Sequence, residues 1–279
     1  MREFEGRVAV VTGAASGIGF AIAQRLAEEG MRIVLADIEP RALTDATAAI
    51  EDLGVDALGV VTDVTEATDV DKLAKAATER FGKVHILVNN AGVGTKGRPW
   101  ELSLSDWQWV VGVCFWGVVH GIRSFVPGMI AHGEEGHIVN TASMMGLGCA
   151  PGGGPYQAAK HAVTAVSESL SFDLQETAPQ LKVTLLCPGY VDTRIRDASR
   201  NRPERFGGHG AAPVTASAAA AQPDSARPVP PETIADLAFD AISHDRFYAF
   251  ADWDVWRPLV SARMEALLDR RDPVPLRLP

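Results

Sequence analysis

A chain of 279 residues, 47% hydrophobic and 22% charged, has the apolar mass for one packed α/β domain and the polarity of an ordinary soluble one. Its formal net charge of −9 argues against a nucleic-acid partner, because gripping a phosphate backbone needs clustered Lys and Arg. Three cysteines, Cys114, Cys149 and Cys187, form no CxxC pair and fit a reduced cytoplasmic interior better than a disulfide framework.

The first strand begins almost at once, which leaves no room for a secretory signal. No unbroken apolar run reaches the roughly 18–20 residues that span a bilayer, so a cytoplasmic protein without a membrane partner is expected. Arg7 to Val11 reads as a strand, and a glycine turn leads from it into a helical pattern from Ile18 to Glu29. Arg32 to Ala36 is a second strand, Arg41 to Leu53 a helix, Ala57 to Thr62 a third strand and Asp69 to Phe81 a helix. His85 to Val88 is a short buried strand. A long helix runs from about Ser105 to Ala131, followed by strand His137 to Ala142, helix Tyr156 to Glu176 and strand Lys182 to Cys187. Phe247 to Ala249 forms a last short strand. Strands alternating with helices imply βαβ units. The expected fold is a single Rossmann-type, doubly wound parallel sheet with helices on both faces and right-handed crossovers.

Arg194 to Pro231 breaks this rhythm. Rich in Ala, Pro, Gly and Arg, and including Ala218-Ala219-Ala220-Ala221, it reads as a structureless insert after a strand's carboxyl end. Open α/β sheets bind ligands there, so a substrate lid is expected over about 194–231. Asp252-Trp253-Asp254-Val255-Trp256 and a helix to about Arg270 belong to a C-terminal extension, about 250–279, that either docks on a neighbouring subunit or shapes the pocket. All 279 residues are read as one domain.

Thr12-Gly13-Ala14-Ala15-Ser16-Gly17-Ile18-Gly19 joins the first strand to the first helix. In that context Gly13, Ser16, Gly17, Ile18 and Gly19 bring backbone and helix N–H groups close to a pyrophosphate. Asp37 ends the second strand, placed to accept hydrogen bonds from an adenosine ribose and to repel a 2′-phosphate, which selects NAD over NADP. Its alternative role is a cap on the following helix. Arg41 is the opposing cation, and it is expected to face solvent.

Downstream, Lys160 follows Tyr156 by four residues, so both project from one helical face. A neighbouring ammonium can lower the phenol pKa and make tyrosine a usable base. Ser143 ends the preceding strand, where its hydroxyl can hold a substrate oxygen as charge develops. Met145 and Cys149, in the apolar loop between Ser143 and Tyr156, and Tyr190 line the expected substrate pocket, which suits an apolar or aromatic secondary alcohol or its ketone. No His, Cys and carboxylate set has metal-ligand spacing, so no metal is assigned.

Together these motifs resemble the short-chain dehydrogenase/reductase family, from about Arg7 to Ala249: T-G-x-x-x-G-x-G, the Asn89-Asn90-Ala91-Gly92 stretch, and a serine ahead of Y-x-x-x-K. The resemblance implies that Asp63 and Val64 touch adenine and that Asn90, Ala91 and Gly92 form the cofactor floor. It further implies that Pro188, Gly189, Val191 and Thr193 belong to the turn that holds the nicotinamide carboxamide. Asn89 is read instead as structural, bonding backbone across strands. Dimers or tetramers are usual in this family, and Trp107, Trp109, Phe115, Trp116 and Phe125 on the long helix suggest such an interface. The stretch from Arg196 to Pro203 looks like the lids of bacterial relatives acting on bulky or aryl-substituted alcohols.

One family residue is missing. Where relatives carry a catalytic asparagine this chain has Cys114, and no asparagine occurs between Gly92 and His137. In relatives that asparagine bends the helix and keeps a water linking the lysine to solvent. Three readings follow: a relay through main chain, a slower enzyme, or a non-catalytic NAD-binding scaffold or regulator. An NADPH-dependent carbonyl reductase is the other enzymatic alternative.

Overall fold

In the computed structural model, which describes residues 1–208 and 228–276, strands and helices alternate from Val8–Thr12 (β1) to the last helix. The elements are Gly17–Glu28 (α1), Arg32–Asp37 (β2), Pro40–Glu51 (α2), Ala57–Val61 (β3), Ala67–Phe81 (α3) and Ile86–Asn89 (β4). Next come Leu104–Val111 (α4), Gly117–His132 (α5), Gly136–Thr141 (β5), Gly154–Thr177 (α6) and Leu181–Cys187 (β6). Pro231–Ser243 (α7), Tyr248–Phe250 (β7) and Trp253–Leu268 (α8) complete the described elements. The seven strands form one parallel sheet in the order β3-β2-β1-β4-β5-β6-β7. Strand order therefore reverses between β1 and β4, and the crevice beyond their carboxyl ends is where such sheets take ligands.

Burial explains the strand sequences. β1, β4 and β5 are buried at every residue, β1 and β4 as near-continuous apolar runs and β5 with buried His137, Asn140 and Thr141, whereas the edge strand β3 alternates, as a sheet covered on both faces in its middle requires. One layer packs α1 and α7 against the sheet through Ile22, Leu26, Ile234 and Ile242; the other uses Val70, Leu73, Phe125 and Met129 from α3 and α5.

Two expectations about helices need correction. The single helix from Ser105 to Ala131 is a rod of three parts, because Gly112–Trp116 between α4 and α5 is a π-helical turn. The rod, Leu104–His132, is also long and apolar enough by composition to cross a membrane, which counting unbroken apolar runs does not register. Over half of its most apolar window is buried inside this domain. α5 lies so near the sheet that a Cβ on Gly121 would overlap the Asn89 side chain.

α7 has no counterpart in the elements read from sequence. Its prolines lead in at the first turn, where a missing N–H costs nothing, and its buried face is mostly small: Ile234, Ala235, Ala238, Ala241 and Ile242. The expected insert is likewise not structureless throughout, since Arg194–Asn201 and Glu204–Phe206 form 3-10 turns. Residues 209–227, including the run Ala218 to Ala221, lie outside the described residues.

Candidate active site

Thr12 ends β1 and ties the first turn to the floor. Its hydroxyl accepts from the backbone N–H groups of Asn90 (3.0 Å) and Ala91 (3.2 Å), while Asn90 Nδ2 donates to Thr12 O (3.0 Å). Gly19 opens α1 against the same asparagine: a Cβ there would stand 2.5 Å from Asn90 Nδ2 and collide with Gly13 O. Gly17 lies beside the Thr193 methyl group, so the turn after β6 meets the glycine turn. Ser16 occupies the helix N-cap in extended conformation without a side-chain cap bond. The first-turn N–H groups of α1 have no acceptor within the helix by its geometry and point at the crevice.

Asp37 stands at the end of β2. Its two carboxylate oxygens accept from Ala15 N and Glu39 N, both at 3.0 Å, so it braces the glycine turn rather than only capping a helix. Burial pushes its pKa up, and the backbone hydrogen bonds pull the other way. Arg41 is exposed on α2. Asp63 accepts from Thr65 and is paired with Arg205 at 2.6 Å. Val64 O bonds His120 Nδ1 at 2.9 Å, which fixes the strand end to α5.

Asn89 does not bond backbone across strands. Its Nδ2 donates to Asn140 Oδ1, and Asn140 Nδ2 donates to Ser167 Oγ, each at 2.9 Å. This chain of side chains joins β4 to β5 and α6, and it serves structure as expected, through different atoms.

Ser143, Tyr156 and Lys160 converge at the carboxyl edge of β5. Ser143 Oγ accepts from Met145 N at 3.1 Å and lies near the Tyr156 hydroxyl. Lys160 is 2% exposed, donates to Thr141 O at 2.7 Å, and places Nζ 5.6 Å from the Tyr156 ring centroid. The protein's own groups do not lower the tyrosine pKa as expected. Burial pushes the phenol above its ordinary value, with the nearby Ser143 hydroxyl opposing. Burial also pushes the Lys160 pKa down. Behind Ser143, the Cys187 thiol is pushed up to about 12 by burial and stays neutral.

Cys114 sits at the centre of the π-helical turn, fully buried. Its Sγ donates to Val93 O at 3.2 Å and accepts from Val93 N at 3.4 Å. The rod thus takes a π-helical turn here with cysteine in place of asparagine. A thiol is a weak donor and acceptor, but it reaches both backbone atoms of one residue.

Around this centre the substrate side gathers Met145 and Tyr190, both half-buried, with the Tyr190 ring 5.9 Å from Trp256. Cys149 is exposed, and its carbonyl accepts from Leu276 N at 2.7 Å. Pro188 O accepts from Met144 N at 3.0 Å, and Val191 bridges Val229. At the start of the expected lid, Arg194 and Arg196 are exposed. Arg200 is not: it pairs with Glu39 at 2.7 Å. Buried Arg202 pairs with Asp106 and lies over Trp109.

A profile of the short chain dehydrogenase family matches residues 7–204. This chain belongs to the short-chain dehydrogenase/reductase family. The assignment makes it an oxidoreductase. It is 41% identical to a short chain dehydrogenase/reductase of Burkholderia phymatum solved in complex with NAD, covering both chains completely with a TM-score of 0.90. It is 38% identical to the 1-deoxy-11-beta-hydroxypentalenate dehydrogenase of Streptomyces avermitilis, over 88% of this chain and 84% of that one. The CLA biosynthesis dehydrogenase/reductase of Lactiplantibacillus plantarum is 32% identical over 96% and 95%.

Sequence reasoning missed Glu39, which holds Arg200 and Asn201 over the β2 end, and Gln157, whose Nε2 donates to Ala150 O at 2.8 Å. No short motif marks either. It also left open where the extension goes. Trp256, Val260 and Leu276 join Met144, Cys187 and Leu185 in one cluster of this same chain.

Proposed function

We propose that this oxidoreductase is an NAD-dependent dehydrogenase that interconverts an apolar or aromatic secondary alcohol and its ketone. The observation that carries the reading is the meeting of Ser143, Tyr156 and Lys160 beside the glycine turn. The site fits a dinucleotide: α1 offers free N–H groups at its start, Asp37 presents a carboxylate in place of a cation, and Thr193 adjoins Gly17. The NAD complex of the Burkholderia phymatum relative supports the same choice. When bound, the nicotinamide ring accepts or returns the hydride.

Ser143 holds the substrate oxygen, and Tyr156 takes the hydroxyl proton in oxidation or gives one in reduction. Lys160, anchored on Thr141 O, orients the cofactor and supplies positive charge near the phenol. Burial raises the Tyr156 pKa, so positive charge from Lys160 and a bound cofactor would be what favours the phenolate. Met145, Tyr190 and Trp256 favour an apolar substrate. Half-exposed Trp116 on the α4–α5 rod supports a homodimer or homotetramer.

Near-ultraviolet absorbance of reduced nicotinamide tests this, with NAD or NADP and a panel of aliphatic and aryl secondary alcohols. Tyr156→Phe is expected to lower turnover by about 10²–10⁴ while NAD still binds. Saturable NAD binding without turnover on any substrate would favour the scaffold reading that Cys114 raised, and a preference for NADP would favour a carbonyl reductase.

A further inference from the structure

The loop from Ser143 to Gly154 connects two residues of the proposed site, yet its middle has few fastenings. Its first turn is held by Met144 N on Pro188 O, Gly146 N on Ser143 O and Leu147 N on Met144 O; its far end is held by Gln157 on Ala150 O and by Gly97 N on Gly152 O. Between these, at Gly148 and Cys149, the backbone tie among the described residues is to Leu276, whose N–H donates to Cys149 O at 2.7 Å. Leu276 is 3% exposed although it lies in an irregular segment after α8. Its side chain fills the place of a side chain at residue 148: a Cβ on Gly148 would stand 2.6 Å from Leu276 Cγ and overlap Cδ1. α8 supports the same wall, since Trp256 Nε1 would be 2.7 Å from a Cβ on Gly189 and Arg263 Cδ lies 3.3 Å from that on Gly148.

We infer that Leu276 is a positioning residue for substrate: an intrachain latch that seats in the notch left by Gly148 and sets the wall carrying Met145 and Cys149. The inference rests on the alcohol dehydrogenase reading for its kinetic consequence, but the latch itself is a property of the fold. Substrate recognition therefore depends on a residue near the far end of the chain, through one hydrogen bond and one interlocked apolar contact. NAD recognition does not, because Gly13 to Gly19 and Asp37 have their own bonds.

The experiment compares Leu276→Ala, Leu276→Met and Gly148→Ala in the full chain. Amide hydrogen exchange in the presence of NAD is the first readout, and steady-state kinetics on a turned-over alcohol is the second. Leu276→Ala and Gly148→Ala are expected to speed exchange at 146–150 about tenfold, as local opening predicts, with 13–19 unchanged. Substrate KM is expected to rise about fivefold or more, with kcat and the NAD dissociation constant within about twofold; Leu276→Met is expected to restore both readouts. Unchanged exchange at 146–150 in Leu276→Ala would overturn the latch, as would parallel losses of NAD and substrate binding. If the parent protein turns over no alcohol, the functional reading fails, and the exchange comparison still decides the latch.

Discussion

On the cofactor side of the cleft, the ends of β1, β2 and β4 are stitched to one another by short polar contacts: Thr12 to Asn90 and Ala91, Asp37 to Ala15. The substrate side is assembled from remote pieces, with the Ser143–Gly154 loop packed against Trp256 and Leu276. The first arrangement requires particular residues at fixed spacings, so it leaves a motif. The second requires only that apolar surfaces fit, and many sequences achieve that.

The sharpest way to break this contrast is Asp37→Ala. It removes the carboxylate that a ribose would share with the glycine turn, and hydrogen bonds to a charged group are worth about 1.5–3 kcal/mol. The NAD dissociation constant, followed by fluorescence titration, is expected to rise about 10- to 100-fold, with discrimination against NADP relaxed. Substrate KM at saturating NAD should barely move. An equal rise in both would show that the two sides are one cooperative unit.

Acid probes the end of the sheet opposite the site. His137 at the start of β5 donates from Nε2 to Thr184 Oγ1 (2.7 Å), which in turn donates to Arg246 O. Burial lowers its pKa from 6.5 to about 3, so the folded protein keeps it neutral while the unfolded chain protonates. The unfolded state binds the extra proton between those values, and stability is therefore lost as pH falls through that window, by up to about 1.4 kcal/mol per pH unit. His137→Gln is expected to flatten the pH dependence of urea midpoints below pH 6.5. An unaltered slope would assign acid sensitivity elsewhere.

Cys114→Asn has the smallest expected effect. The π-helical turn already stands with Sγ braced on Val93, so turnover should change by less than about threefold. A large gain would mean that the thiol limits proton exchange with solvent, and that the cofactor side is less complete than its hydrogen bonds suggest.

The parallel sheet and most element bounds were legible because the strands are short runs rich in apolar residues, alternating with helical patterns and bounded by turns; the strand order was read only from the structure. Ser143, Tyr156 and Lys160 were legible because one helix turn and one strand end fix their meeting. α7 was not, since an Ala-lined face gives a weak period. The tyrosine pKa was not, because burial is a property of the whole fold. Of the five aromatic residues taken as an interface, Trp109 and Phe125 are buried at home, under Arg202 and in the α3–α5 layer. Sequence shows that a face is apolar but not what covers it.

The π-helical turn at 112–116 also has a consequence for how this chain can change. Such a turn holds one residue more than an α-turn, and each residue advances a helix by about 100°. The wider winding of the five residues Gly112–Trp116 closes on nearly the angle of an ordinary α-turn, so the loss of one residue is absorbed inside the turn and leaves Gly117 and Gly121 facing Val64 and Asn89. The stretch is open to substitution, as Cys114 demonstrates, and also to losing the one extra residue that makes it a π-turn.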